Sequence, residues 1–194
     1  MTWKGPYACS TSSCRRTSIR RSGEKPRAVL ELDLSAAQAS DAGELAALHC
    51  AVAQDLTLRF GHGHWSYEPT ETSLTRAINT SYVLVARHGG VIIGSFELQT
   101  RKPWSIDRSY FAEVPRPLYL LAMAVLPSLQ RQGIGRRLLD EAAAIARDWP
   151  AQAIRLDAYD ADAGAGPFYA RCGYRQVGRA VYRGTPLIYY ERLL

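Results

Sequence analysis

The sequence predicts an α/β fold, of the α+β type, in which helices flank a single sheet. Residues 118–125 are apolar almost without interruption, as in a strand buried on both faces, and Pro127 ends the run. Apolar residues then recur at helix spacing over 134–149. Two more apolar runs flank a His-Gly-Gly segment at 88–90, which predicts a β-hairpin. Strand and helix signals therefore alternate within one domain.

The other elements follow from local patterns along the chain. Residues 29–34 alternate apolar and acidic side chains, as in a half-buried strand. Asp41 and Glu44 have the spacing of a capping box, which predicts that a helix begins there. Pro167 and Gly173 suit the first turn and the C-terminal cap of a short helix. The remaining predictions are a helix at 70–78 and strands at 81–87, 91–98, 153–159, 175–182 and 186–193.

Residues 1–28 differ in composition from the rest of the chain. They hold seven Lys or Arg and one Glu, which accounts for the whole formal net charge of +6, so residues 29–194 are balanced. Because this segment is rich in Ser, Thr and Arg, we predict a disordered basic extension at 1–28 before one domain at 29–194. The extension could target the protein, bind nucleic acid or have no function. The balanced domain gives no reason to expect nucleic-acid binding.

The cysteine, histidine and apolar patterns predict a cytoplasmic protein without a metal. The four cysteines form no C-x-x-C pair and no zinc-like spacing with the four histidines, so we expect reduced thiols. His62 and His64 have no third ligand close in sequence. The longest apolar run, 118–126, is too short to span a bilayer, and we expect neither a secretory signal nor a membrane partner. A monomer and a homodimer are both compatible with the sequence.

A short basic turn joins the strand at 118–125 to the next helix. It contains Gly133 and Gly135 and no acidic residue. Glycines let a ligand approach the backbone closely, and the first N–H groups of a helix have no intrahelical partner. These groups also lie at the positive end of the helix dipole. The turn is therefore suited to bind a diphosphate.

Two common phosphate motifs do not fit this turn, because it lacks the third glycine of a dinucleotide fingerprint and the Gly-Lys-Ser/Thr of a P-loop. Residues 130–135, Gln-Arg-Gln-Gly-Ile-Gly, instead match the pattern Gln/Arg-x-x-Gly-x-Gly/Ala. About 35 residues later, 168–174 match Leu/Phe-Tyr-x-x-x-Gly-Phe/Tyr. In both motifs, and in the order of predicted elements over 29–194, the chain resembles the GNAT N-acetyltransferase superfamily.

The resemblance implies a mixed, mostly antiparallel, seven-stranded sheet whose central strands splay apart, with about four flanking helices. Acetyl-CoA would be the cosubstrate, with its pantetheine arm in the opening and its diphosphate on the turn. No metal is implied. Asp162 stands where the family often has an Asn that contacts CoA, so we expect a weaker contact there. The implied cofactor-binding residues are Met123, Ala124, Val125, Gln130, Arg131, Gln132, Gly133, Ile134, Gly135, Arg136 and Asp162.

Acyl transfer to an amine requires a base for the amine proton and an acid for the departing thiolate. Tyr169 matches the position of the general acid in similar enzymes, although a tyrosine there can also be a core aromatic residue. Asp157 lies where relatives resembling ribosomal-protein alanine acetyltransferases carry a glutamate base. As a shorter side chain, it would act through water or serve only as a strand-end carboxylate. Glu97 is the other candidate base.

Two loops would recognise the acceptor amine. One carries Trp65 and Tyr67, and the long connection at 99–117 carries Trp104 and Tyr110. Aromatic faces can hold a cationic amine, or they can simply pack as a lid. A connection of this length is typical of a functional or mobile loop.

The resemblance thus implies an acyl-CoA-dependent N-acetyltransferase that acts by direct transfer on a primary amine of a small molecule or peptide. A protein N-terminal or lysine acetyltransferase is an alternative that would need an open groove. A second alternative is a non-catalytic acyl-CoA-binding module, which would keep the turn without the chemistry.

Overall fold

A computed structural model describes residues 30–194, so the predicted extension at 1–28 lies outside the described residues. The described chain forms one seven-stranded sheet in the order β1-β2-β3-β4-β5-β7-β6, in which only β4 and β5 pair in parallel. The predicted mixed, mostly antiparallel sheet is confirmed. Its strands are β1 Asp33–Ala36, β2 Tyr82–His88, β3 Val91–Gln99, β4 Pro117–Val125, β5 Ala153–Tyr159, β6 Arg175–Tyr182 and β7 Thr185–Leu193, and its helices are α1 Ala42–Phe60, α2 Glu71–Thr80, α3 Ile134–Asp148 and α4 Gly166–Arg171.

The predicted capping box at the start of α1 is wrong. The carboxylate of Asp41 caps no α1 N–H; it accepts a hydrogen bond from Gln38 N at 2.8 Å and pairs with Arg87 at 2.7 Å. Glu44 reaches across to β3 and accepts from Ile92 N at 2.7 Å. Both carboxylates therefore tie α1 to the sheet, a use that sequence spacing does not reveal.

The helices cover the two faces of the sheet. On one face α1 and α2 pack Leu45 and Leu74 against β2 and β4. His49 of α1 lies 3.3 Å from the hydroxyl of Ser95 on β3, and burial lowers the pKa of this histidine. The neighbouring strand residue, Gly94, points the other way: a Cβ there would lie 3.0 Å from Leu138 of α3. The missing side chain lets α3 pack closely on the opposite face.

The centre of the sheet is open because β4 bends away from β5. Only the first three residues of β4 pair with β5. Beyond them Ala122 and Met123 lie opposite the single residue Phe96, a β-bulge at which Ala122 adopts a φ of 47°. The C-terminal half of β4 therefore presents a backbone edge that β5 does not cover.

Candidate functional site

The turn between β4 and α3 is built from a 3-10 turn at Pro127–Leu129 and a left-handed residue at the helix start. Gly133 has a φ of 88°, a conformation that favours glycine because it has no Cβ. Arg131 also lies in the left-handed region, with a φ of 61°. The side-chain amide of Gln130 donates to Val125 O at 3.1 Å and fixes the turn to the strand end.

A cavity of about 440 Å³ lies between this turn, the free end of β4 and helix α4. The absence of a side chain at Gly135 keeps the cavity from being narrowed. A Cβ there would lie 3.0 Å from the ring of Phe168 and 3.5 Å from the methyl of Met123, both of which line the cavity. The lining residues come from the strand, the turn and the two helices: Met123, Ala124, Val125, Leu129, Gln130, Arg131, Gly133, Gly135, Arg136, Ala165, Phe168, Tyr169, Arg171 and Cys172.

The cavity is electropositive. Three arginines line it, Arg131, Arg136 and Arg171, and the lining contains no acidic residue. The guanidinium of Arg136 donates to the carbonyl of Arg171 at 2.7 Å, which ties α3 to α4. The first N–H groups of α3 add the positive end of the helix dipole. These groups fit a dianionic diphosphate, as the sequence predicts.

Eight of the eleven predicted cofactor-binding residues line this cavity, and three do not. Ile134 is only 2% exposed and packs towards Gly94 of the sheet. Gln132 and Asp162 are exposed outside the cavity.

Besides Tyr169, which was predicted as the acid, five lining residues were not predicted to belong to the site: Leu129, Ala165, Phe168, Arg171 and Cys172. The spacing of residues 165–172 could have predicted four of the lining residues. Ala165, Phe168, Tyr169 and Cys172 follow the i, i+3, i+4, i+7 pattern of one helix face, so placing Tyr169 in the site places its neighbours there too.

The phenol of Tyr169 faces the bulged segment of β4. Its hydroxyl donates to the sulfur of Met123 at 3.9 Å, and the residue is only 8% exposed. Burial raises the pKa of Tyr169 well above its usual value, and the charges of Asp157 and Cys172 act in the same direction. The phenol therefore stays protonated at neutral pH and can donate a hydrogen bond into the cavity.

Asp157 lies on β5, past the point where β4 stops pairing with it. Its Oδ1 accepts from the hydroxyl of Ser105 at 3.0 Å. Burial raises the pKa of Asp157, and the hydrogen bond from Ser105 partly offsets that shift. The charge of Asp157 also raises the pKa of Tyr159 and of Tyr169. This carboxylate is thus electrostatically coupled both to the cavity and to the aromatic residues described next.

Glu97 occupies a different place. Its Oε1 accepts from the hydroxyl of Ser81 at 2.6 Å, at the junction of α2 and β2. It pairs with Leu121, before the bulge, and does not line the cavity.

The predicted acceptor-binding aromatics divide into two groups. The ring of Trp65 packs edge-on against Tyr159, with centroids 5.9 Å apart, and Tyr110 packs against Tyr189 at 5.4 Å. Tyr67 and Trp104 are 70% and 79% exposed. Trp65 and Tyr110 therefore pack against aromatic residues of the sheet near Asp157, with Tyr110 still 42% exposed, whereas Tyr67 and Trp104 are largely open to solvent.

Two structural features are absent from residues 30–194. Within that range no helix combines the length and apolarity needed to cross a membrane. The same residues bring together no group of three or more His, Cys, Asp or Glu side chains suited to a metal ion.

Solved structures of acetyltransferases are similar to this chain over most of its length. A structure from Listeria monocytogenes, an acetyltransferase of the GNAT family, is 19% identical, with a TM-score of 0.67 over 85% of this chain and 96% of that one. PaiA N-acetyltransferase from Thermoplasma acidophilum, in complex with coenzyme A, is 17% identical, with a TM-score of 0.65 over 84% and 99%. A GCN5-related N-acetyltransferase from Rhodopseudomonas palustris is 20% identical, with a TM-score of 0.63 over 84% and 95%. At these identities the neighbours establish the fold alone.

Among curated protein sequences there is no significant match. The model of the acetyltransferase (GNAT) family matches residues 49–174, well over half of the chain. The predicted resemblance is confirmed: the chain belongs to the acetyltransferase (GNAT) family.

Proposed function

We propose that this protein transfers an acetyl group from acetyl-CoA directly to a primary amine of a small molecule or short peptide. The observation that carries the proposal is that one cavity contains both an arginine-rich helix start and the hydroxyl of Tyr169. The anion-binding end of the cavity suits the diphosphate of acetyl-CoA. The protonated phenol suits the thioester sulfur, which must leave as the acetyl group is transferred. Family membership supports an acetyltransferase, and the amine acceptor is our proposal.

Three parts of the chain would hold acetyl-CoA. Arg131, Arg136 and the N–H groups at the start of α3 would bind the diphosphate. The uncovered edge of β4 at Met123, Ala124 and Val125 would pair with the pantetheine amides. When bound, acetyl-CoA supplies an acetyl group activated as a thioester.

We assign Asp157 the role of proton acceptor. An ammonium group has no lone pair, so the acceptor amine must lose a proton before it can form the new C–N bond. Burial raises the pKa of Asp157 towards the range in which a carboxylate accepts a proton usefully. Glu97 stays a second candidate. Neither carboxylate lines the cavity, but the charge of Asp157 raises the pKa of Tyr169, whereas Glu97 bonds Ser81 at the junction of α2 and β2, which favours Asp157.

We assign Tyr169 the role of proton donor as the C–S bond breaks. Its hydroxyl is protonated, and its neighbour in the structure is a weakly accepting sulfur, that of Met123. Because the phenol is not engaged by a strong acceptor, its proton is available to a departing thiolate.

The acceptor would lie on the Asp157 side, beside Trp65 and Tyr110, with Tyr67 and Trp104 at the solvent-facing rim. Segment 100–116 is bonded to the sheet there rather than leaving a long open groove. This arrangement supports a small amine over the lysine or N-terminus of a folded protein.

The test combines acetyl-CoA consumption against a panel of amines and N-terminal peptides with calorimetric binding of CoA. We expect turnover with at least one small amine, and a strong loss in Tyr169→Phe while CoA still binds. CoA binding without turnover on any amine or peptide would instead indicate the non-catalytic acyl-CoA-binding module.

A further inference from the structure

Residues 100–116 connect β3 to β4 and lie against the face of the sheet that carries Asp157. The segment contains one 3-10 turn, Arg108–Tyr110, and no strand. Its internal hydrogen bonds join residues at most four apart, and its buried Ile106 and Phe111 pack in one cluster with Tyr119, Leu187 and Tyr189 of the sheet. Contacts with the sheet therefore determine its position.

The first attachment holds the backbone of one residue, Ala112, through both its N–H and its carbonyl. The N–H of Ala112 donates to Glu191 Oε2 at 3.3 Å, and the carbonyl of Ala112 accepts from the guanidinium of Arg155. Arg155 and Glu191 also pair with each other at 3.0 Å, and each is only 2% exposed. The guanidinium lies 5.0 Å from the centre of the Phe111 ring. The ion pair, which joins β5 to β7, thereby binds the backbone of the covering segment.

The second attachment lies next to the proposed base. The hydroxyl of Tyr189 donates to the carbonyl of Ser105 at 2.5 Å and accepts from Asp107 N at 3.3 Å. The hydroxyl of Ser105 in turn donates to Asp157. Asp157 lies two residues after Arg155 on β5, so both attachments act on the same strand.

We infer that Arg155 and Glu191 are positioning residues for the acceptor amine: they hold 105–112 as a fixed cover over Asp157 and so limit the size of the acceptor. The inference rests on the proposed function. A buried ion pair gains little net stability over apolar side chains, because desolvation offsets its Coulomb attraction. This pair instead satisfies both backbone groups of Ala112 and orients a fork that only a guanidinium provides.

The test uses two variants and a control. Arg155→Met/Glu191→Leu removes the pair without leaving a buried unpaired charge. Arg155→Lys keeps the charge, but a single ammonium cannot bond Glu191 and Ala112 with the same geometry. Arg179→Met is the control, because Arg179 lies on β6 of the same sheet and pairs with Asp160, just after β5. Within the described residues Arg179 forms no hydrogen bond with the covering segment.

The first readout is hydrogen exchange, which needs no substrate. We expect amides of 104–112 to exchange at least about tenfold faster in both variants, with the helices and the control unchanged. Unchanged exchange in this segment would overturn the inference, whatever the activity. This measurement stays decisive even if no amine is acetylated and the proposed function fails.

The second readout is steady-state kinetics with cadaverine, tyramine and a lysine tripeptide as acceptors. We expect KM for the two small amines to rise about tenfold or more, while KM for acetyl-CoA stays within about twofold. The tripeptide should gain relative to the small amines, since the cover is loosened. Equal loss of kcat for all three acceptors, with their KM values unchanged, would assign the pair a purely structural role and overturn the inference.

Discussion

The hydroxyl of Tyr169 and the sulfur of Met123 lie 3.9 Å apart, so the phenol on α4 faces the bulge of β4 across the cavity. A thioether is a weak acceptor, and the phenol therefore loses little if another sulfur takes its place. This relationship leads to the first prediction.

Tyr169→Phe should lower kcat by roughly 10²-fold or more, because the proton donor is removed. Stability should change by less than about 1 kcal/mol, since the lost hydrogen bond is weak and the ring remains. Steady-state kinetics and urea unfolding measure the two effects. A variant with wild-type kcat would remove Tyr169 from the chemistry.

Asp157→Asn should separate activity from stability. Burial raises the pKa of Asp157 in the folded protein, so folding disfavours its ionised form. Such a carboxyl favours the folded state below its unfolded pKa, and this contribution is lost as pH rises through the folded pKa. At pH 7 we therefore expect the variant to be at least as stable as the wild type and yet at least about 10²-fold slower. Clear destabilisation at pH 7 would indicate a structural carboxylate instead.

The pH dependence of kcat/KM gives an independent check on Asp157. Because its pKa is raised, the wild type should lose activity as pH falls through a value above the ordinary range of aspartate. The acceptor amine titrates identically with either enzyme, so comparison with the residual activity of Asp157→Asn isolates the carboxylate. An acidic limb that persists unchanged in the variant would point to another base, with Glu97 the next to test.

Arg131→Ala should weaken CoA binding by about tenfold, because the side chain lines the cavity beside the helix start. The remaining affinity should depend less steeply on salt, since one charge is lost. Arg147→Ala, in the last turn of the same helix, is the matched control. Equal Kd values for the two variants, measured by calorimetry, would place the diphosphate elsewhere.

Local sequence patterns predicted most of the secondary structure. The apolar run of β4, the helix period of α3 and the glycines of the hairpin each reflect a constraint that acts within a few residues, and β5 matches its predicted bounds, 153–159. The first strand was predicted at 29–34, whereas β1 is Asp33–Ala36. As an edge strand paired only with β2, its position is set by that pairing rather than by alternation.

Long-range contacts mark the limit of prediction. Arg155 and Glu191 are 36 residues apart, and Ala112 is 43 from Arg155 in the other direction, so no local pattern unites them. Tyr169 could be placed in the cavity through its motif, whereas the role of Ser105 beside Asp157 depends on how 100–116 folds back. The length of this connection predicted a functional or mobile loop, but it did not predict the side chains of the sheet that fix the loop in place.

The bulge in β4 makes the opening of the sheet depend on one surplus residue. A chain shortened by Ala122 would match each β4 residue to one β3 residue, so the ladder between the two strands would run without the bend that a bulge produces. The parallel ladder with β5 could then continue into the gap. Room for a thioester arm is thus encoded in chain length, independently of any side chain that touches it.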